Sequence, residues 1–245
     1  MNPVLRLTGL ARTFANGTAA LGALTAEVPV GAFVALLGPS GCGKSTALRL
    51  IAGLDEPSGG RVEWPTGHPT IGYCFQEPTL MAWASAVKNV ALPLELAGVA
   101  TGEARERARE ALVKVGLSTF IDALPGELSG GMRMRVSIAR ALVAQPAVLL
   151  MDEPFAALDE FTRIKLNDDL LALWGERGFT TLFVTHSVFE AVYLSQRILI
   201  LSGRPGRLVA DITNPAPYPR LSDYRTSPEF NACAREVLNA LKEGS

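Results

Sequence analysis

The stretch Gly38, Pro39, Ser40, Gly41, Cys42, Gly43, Lys44, Ser45, Thr46 restricts what this chain can fold into more than any other. It satisfies the phosphate-loop pattern (glycine, any four residues, glycine, lysine, then serine or threonine) at every fixed position. Residues 32–37, Ala-Phe-Val-Ala-Leu-Leu, read as a short buried parallel strand, and residues 46–52 as a helix that stops at Gly53. Between a strand and a helix, the glycines let backbone N–H groups converge on a polyphosphate, and the helix start adds partial positive charge. Lys44 is then placed to neutralise β- and γ-phosphates, and the Ser45 hydroxyl to ligate Mg²⁺. A glycine turn that binds nothing is the alternative, and the complete pattern in this context argues against it.

Composition narrows the rest. At 245 residues the chain can bury one or two substantial cores, and 48% hydrophobic residues suit an α/β protein. A net charge of −1 supplies no global field for nucleic acid, so no nucleic-acid partner is expected. No apolar run approaches the roughly 18 residues that span a bilayer, and the first residues read as a strand rather than a signal peptide. Cys42, Cys74 and Cys233 show no paired spacing, which argues against disulfides or a zinc site. Cys42, near a helix start, is expected to favour its thiolate, so that alkylation inactivates and ATP protects.

Several short strands are predicted in residues 4–7, 20–28 and 32–37, with Phe14 at the end of the first. That aromatic serves either the core, the favoured role on its own, or a base face. Strands follow at 61–64 and 70–75, and Gln76 stands where the second gives way to a loop. From about 86 to 144 the pattern turns helical, and the arginines of 103–115 read as a solvated face. Within it, Leu128-Ser129-Gly130-Gly131 opens a helix over 132–144, a capped start able to take an anion. The apolar run 147–151 ends in Asp152 and Glu153, just where ligands sit in open parallel sheets. Asp152 is read as the acidic Mg²⁺ partner and Glu153 as the group polarising water for attack on the γ-phosphate; the alternative is a charged turn. Residues 160–177 form an amphipathic helix with Phe161, Ile164, Leu171 and Trp174 on one face. A buried strand over 179–185 delivers His186, a residue able to hydrogen-bond a γ-phosphate. Strands at 197–201 and 207–212, a proline-rich segment and a helix from about 227 to 242 complete the chain.

With the phosphate loop, Leu-Ser-Gly-Gly, Asp152-Glu153 and His186 in this order, the chain resembles the ATP-binding subunits of ABC transporters. The resemblance implies an α/β P-loop NTPase fold: a RecA-like core, an N-terminal antiparallel β subdomain and an inserted α-helical subdomain. It implies ATP and Mg²⁺ as cofactors, Phe14 as the adenine-stacking aromatic and Gln76 as the glutamine contacting Mg²⁺ and the attacking water. Asp159, in Ala156-Ala-Leu-Asp159, matches the loop after the acidic pair, and His186 the switch histidine. It also implies a head-to-tail homodimer, each ATP lying between one copy's phosphate loop and the other's Ser129, Gly130 and Gly131. The expected partners are transmembrane permease subunits and, indirectly, a solute-binding protein, with the chain peripheral on the cytoplasmic face of the membrane.

Within the family, Phe75-Gln-Glu-Pro-Thr-Leu-Met-Ala-Trp83, Met132 and Ser202-Gly-Arg-Pro-Gly-Arg207 are similar to the nitrate, sulfonate and taurine importers. Met134 and Ala82 depart from the usual glutamine and proline, the second in the stretch expected to dock the permease. The expected organisation is a nucleotide-binding domain over 1–220, with its helical part at about 86–144, and a helical tail over 221–245. A soluble ABC-type ATPase, such as one in iron–sulfur cluster assembly, is the alternative.

Overall fold

Strand β3 (Phe33–Leu37) has all five residues buried, as a strand covered on both faces must. The computed structural model describes residues 2–156 and 158–244. These fall into two units: residues up to Pro69 together with those from Leu170 on, and Thr70–Asp169.

In the first unit β3 lies between β7 (Thr180–Thr185) and β8 (Arg197–Leu201), parallel to both, and β9 (Leu208–Thr213) adds antiparallel to β8. Phe33 meets Trp174 edge-on and Phe183 at a tilt, both with ring centres 6.0 Å away. A separate antiparallel sheet has the order β2-β1-β4, from β1 (Pro3–Thr13), β2 (Ala19–Pro29) and β4 (Gly59–Glu63). Leu5, Leu7, Leu10, Leu21 and Leu24 are buried on its inner face, while alternate residues such as Arg6 and Glu27 pair in solvent. Helix α1 (Lys44–Ile51) follows the phosphate loop, and α6 (Val188–Leu194) follows His186. Helix α7 (Pro228–Glu243) starts at Ser227, whose hydroxyl accepts from the Phe230 N–H.

The second unit pairs β5 (Ile71–Cys74) with β6 (Val148–Asp152) in parallel. Its helices α2 (Ala86–Leu96), α3 (Thr101–Lys114) and α4 (Gly130–Leu142) bury one cluster that includes Val87, Val90, Leu94, Leu112, Leu117 and Val136. In α3 the buried residues are Ala104, Ala108 and Leu112, spaced by four, so the arginines between them stay on the outer face. Asn89 is fully buried, and its amide donates to the carbonyls of Met81, Ala84 and Ser85 while accepting from the Met81 N–H. That one side chain closes the turn entering α2. Helix α5 (Glu160–Arg177) runs through the division between the units.

Two expectations need correction. Phe161 does not join the buried face of α5: it is 87% exposed, and Leu166, Leu170, Leu171 and Trp174 make that face instead. Phe14 is not core either, at 38% exposed beyond the end of β1. Cys74 and Cys233 are buried packing residues, as expected.

Candidate functional site: the phosphate loop, the acidic pair and the signature helix

In the first unit the loop 38–43 turns sharply between β3 and α1. Gly41 and Gly43 have φ of 74° and 99°, in the left-handed region that glycine tolerates. A β-carbon at Gly43 would overlap the Ala20 carbonyl, so only glycine lets the loop lie this close to β2. Lys44 is 4% exposed, and its ammonium donates to the carbonyls of Gly38 (2.8 Å) and Pro39 (2.9 Å). Its third neighbour is Cys42 Sγ at 3.9 Å. Among the described residues no carboxylate is paired with it. Ser40 and Gly41 are exposed, and Ser45 and Thr46 are half-buried at the first turn of α1. Cys42 is 1% exposed, so the expected reactive thiol is shielded, and alkylation requires the loop to open.

The sheet register brings His186 beside this loop. Leu37 pairs with Thr185 on adjacent parallel strands, so Gly38 and His186 leave the sheet at the same end. The His186 turn is fixed from behind. Thr185 Oγ1 donates to Glu190 Oε2 at 2.5 Å and accepts from the Ser187 N–H at 3.0 Å, while Ser187 caps α6. At the other end of α6, buried Arg220 donates from Nη1 to the carbonyls of Val192, Tyr193 and Ser195. Phe14 sits with the Arg12 guanidinium 5.3 Å over its ring.

In the second unit, Cys74 pairs with Met151, so Gln76 and the pair Asp152, Glu153 emerge at one end of the β5–β6 ladder. Asp152 is 6% exposed at the end of β6. Glu153 has φ 44°, a strained conformation for a residue with a long side chain and one that concentrates at functional turns. Ser129 caps α4, accepting from the Met132 N–H at 3.3 Å, and Ser129 and Gly130 stay exposed at the helix start. The start of α4, the positive end of its dipole, is therefore exposed. Asp159 is exposed, and the Thr162 N–H donates to its carboxylate at 3.0 Å, which holds its pKa below the usual range. Ala157 of the same motif lies outside the described residues.

One residue here, Arg140, and one contact, that of Met134, went unread in the sequence. Arg140, in the last turn of α4, donates to the carbonyls of Pro78 (2.8 Å) and Thr79 (2.9 Å) and to Thr79 Oγ1 (3.0 Å). It thereby ties the loop just after Gln76 to the signature helix, with Thr79 held at φ 45°. Met134, the departure noted above, puts its sulfur 3.8 Å from Cys74 Sγ, a packing contact in the same seam. Nothing in the local pattern marks either contact, because each joins residues about 60 positions apart.

Among the described residues no three His, Cys, Asp or Glu side chains could hold a metal between them. A hydroxyl (Ser45), an amide (Gln76) and one buried carboxylate (Asp152) are hard oxygen donors. Each is a donor of the type that suits Mg²⁺, which keeps waters and takes phosphate oxygens in place of a full protein cage.

A strand, a glycine loop with a buried lysine, a helix, and an acidic pair at the end of a core strand together define a phosphate-loop ATPase. The ABC transporter family pattern matches residues 21–156. An ATP-binding protein of Brucella abortus is 46% identical over 231 residues, covering 92% of this chain and 89% of its own. The aliphatic sulfonates import ATP-binding protein of Mesorhizobium japonicum is 46% identical over 219 residues, covering 88% and 80%. A dimeric ATP-binding cassette solved in a post-hydrolysis state with ADP and Pi superposes with TM-score 0.78 at 33% identity, over 85% of this chain and 98% of that one. The chain belongs to the ABC transporter family, as an ATPase cassette.

Proposed function

We propose that this ATPase energises a membrane permease that imports a small solute, with sulfonates, taurine and nitrate the solutes its sequence favours. The observation that carries the nucleotide assignment is Lys44: a buried ammonium whose oxygen partners are two carbonyls of its own loop. An unpaired buried cation is costly, and a polyphosphate entering the loop supplies the missing charge. The relative from Mesorhizobium japonicum, named for aliphatic sulfonate import, supports the importer reading.

In this proposal Lys44, Ser45 and the loop N–H groups of residues 38–46 bind the phosphates, and Phe14 stacks on adenine. Glu153 takes a proton from water as its oxygen attacks the γ-phosphorus, releasing ADP and inorganic phosphate. His186 hydrogen-bonds the γ-phosphate, and Gln76 orients the water. Mg²⁺, held through Ser45, Gln76 and Asp152, would offset charge on the β- and γ-oxygens. A second copy contributes Ser129, Gly130, Gly131 and Asp159 across each nucleotide, so that two identical chains close over two ATP molecules. No helix among the described residues is long and apolar enough to cross a membrane; in this proposal separate permease subunits carry the solute. The chain then works peripherally on the cytoplasmic face, and a solute-binding protein delivers the cargo to the permease.

Glu153→Gln tests the chemistry. It should bind MgATP normally, lose about 10²- to 10⁴-fold in hydrolysis and accumulate an ATP-bound dimer on size exclusion. Turnover at the native rate would remove Glu153 from its role. Purifying the tagged chain from gently solubilised membranes tests the transport. A co-purifying permease supports the importer, whereas soluble assembly proteins alone would replace it with a cytosolic ATPase.

A further inference from the structure

The turn 202–207 (Ser-Gly-Arg-Pro-Gly-Arg) lies against the phosphate loop, and the first of its two arginines, Arg204, bonds to it. Arg204 Nε donates to the Gly41 carbonyl at 3.2 Å, and Nη2 lies 3.8 Å from where a β-carbon on Gly41 would stand. Two residues on, Gly206 packs so closely on the next carbonyl, that of Cys42, that any side chain at 206 would overlap it. Two consecutive carbonyls of the loop thus face this turn. In a trans peptide the N–H points opposite its C=O, so the N–H groups of Cys42 and Gly43 are turned to the other side. The Cys42 N–H is held there by the Pro39 carbonyl at 3.3 Å.

The turn is itself firmly mounted. Gly22 N–H donates to the Gly206 carbonyl at 2.9 Å, and Gly206 N–H to the Ala20 carbonyl at 3.2 Å. Ser202 N–H donates to the Arg207 carbonyl at 2.9 Å, and Arg207 N–H returns to Ser202 Oγ at 3.1 Å. Arg204 therefore projects from a fixed base on β2, and no second protein acceptor competes for its guanidinium among the described residues.

We propose that Arg204 is a positioning residue for nucleotide binding: it braces the phosphate loop from outside, fixing the Gly41 and Cys42 carbonyls outward so that the Cys42 N–H keeps its bond to Pro39 and the Gly43 N–H stays aimed at the phosphates. This rests on the nucleotide assignment of the loop made above. A cationic donor on a peptide carbonyl also polarises that peptide and strengthens its N–H on the opposite side. The brace adds preorganisation without touching the phosphates.

The test uses the whole chain with MgATP as ligand, comparing native protein, Lys44→Ala, Arg204→Met and Arg204→Lys. Arg204→Met should raise the MgATP dissociation constant about 3- to 10-fold, the size of one modest hydrogen bond. The second readout is the alkylation rate of Cys42, followed by mass spectrometry without nucleotide. Loosening the loop should expose this thiol and speed its labelling by a similar factor, with Cys74 and Cys233 unchanged. Arg204→Lys, which keeps the charge and one donor, should recover part of both effects. Native affinity and native Cys42 labelling in Arg204→Met overturn the brace. Weaker binding with unchanged labelling also overturns it, in favour of a direct charge effect on the nucleotide. If the native chain binds MgATP no better than Lys44→Ala, the nucleotide assignment itself falls.

Discussion

At the scale of single residues, the chain sets its electrostatics by withholding partners. Lys44 is buried on carbonyls of its own loop, so Lys44→Ala should keep the fold and weaken MgATP binding about 10- to 100-fold, read by calorimetry. An unchanged affinity would mean that the phosphates are held elsewhere. Cys74 shows the opposite control. Complete burial pushes its thiol up to about 12 despite the opposing hydrogen bond with Ser137, whereas an unfolded thiol ionises near 8.5. The native state keeps its full advantage below about pH 8.5 and loses it progressively as pH climbs toward 12. Urea unfolding between pH 8 and 11 should therefore fall more steeply for the native chain than for Cys74→Ala; parallel curves would deny the shift. The residues that carry chemistry were legible because they are punctuated by glycine or stand at the ends of apolar runs. The contact of Arg204 was not: the 202–207 motif stood out in the sequence, but its partner Gly41 lies 163 positions away.

At the scale of elements, periodicity did well where an element is long. Helix α5 occupies 160–177 as read, yet its first turn was assigned to the wrong face, because Phe161 fits the apolar spacing while the fold leaves it in solvent. Helix α6 escaped notice: at seven residues, directly after a core strand, it has too few turns to show a period. The signature helix α4 does two jobs that its sequence only half reveals. Its start is capped by Ser129, and its last turn holds the loop beyond Gln76 through Arg140. Burial lowers the Arg140 pKa from its usual value, so these bonds are made by a partly desolvated cation. Arg140→Ala should cost about 1–3 kcal/mol and lower the melting midpoint by about 2–4 °C for each kcal/mol. A midpoint within 1 °C of native, on the order of measurement error, would show that the strap contributes no stability.

At the scale of the whole molecule, the dimer proposed above would make a single chain half of a working unit. Its exposed signature start and its phosphate loop are complementary halves in the proposed dimer, which is why neither looks complete alone. One exposed side chain has an optical consequence. Trp83 stands in the stretch expected to meet the permease and is 81% exposed, whereas Trp174 is 8% exposed in the first unit and Trp64 is half-buried beside His68. Indole emission moves to shorter wavelength when water leaves the ring, so docking on a detergent-solubilised permease should blue-shift the intrinsic fluorescence, and Trp83→Phe should abolish the change. A shift that survives in Trp83→Phe would place the docking face elsewhere. The chain thus carries its own light signal at the surface where ATP hydrolysis would be passed to another protein.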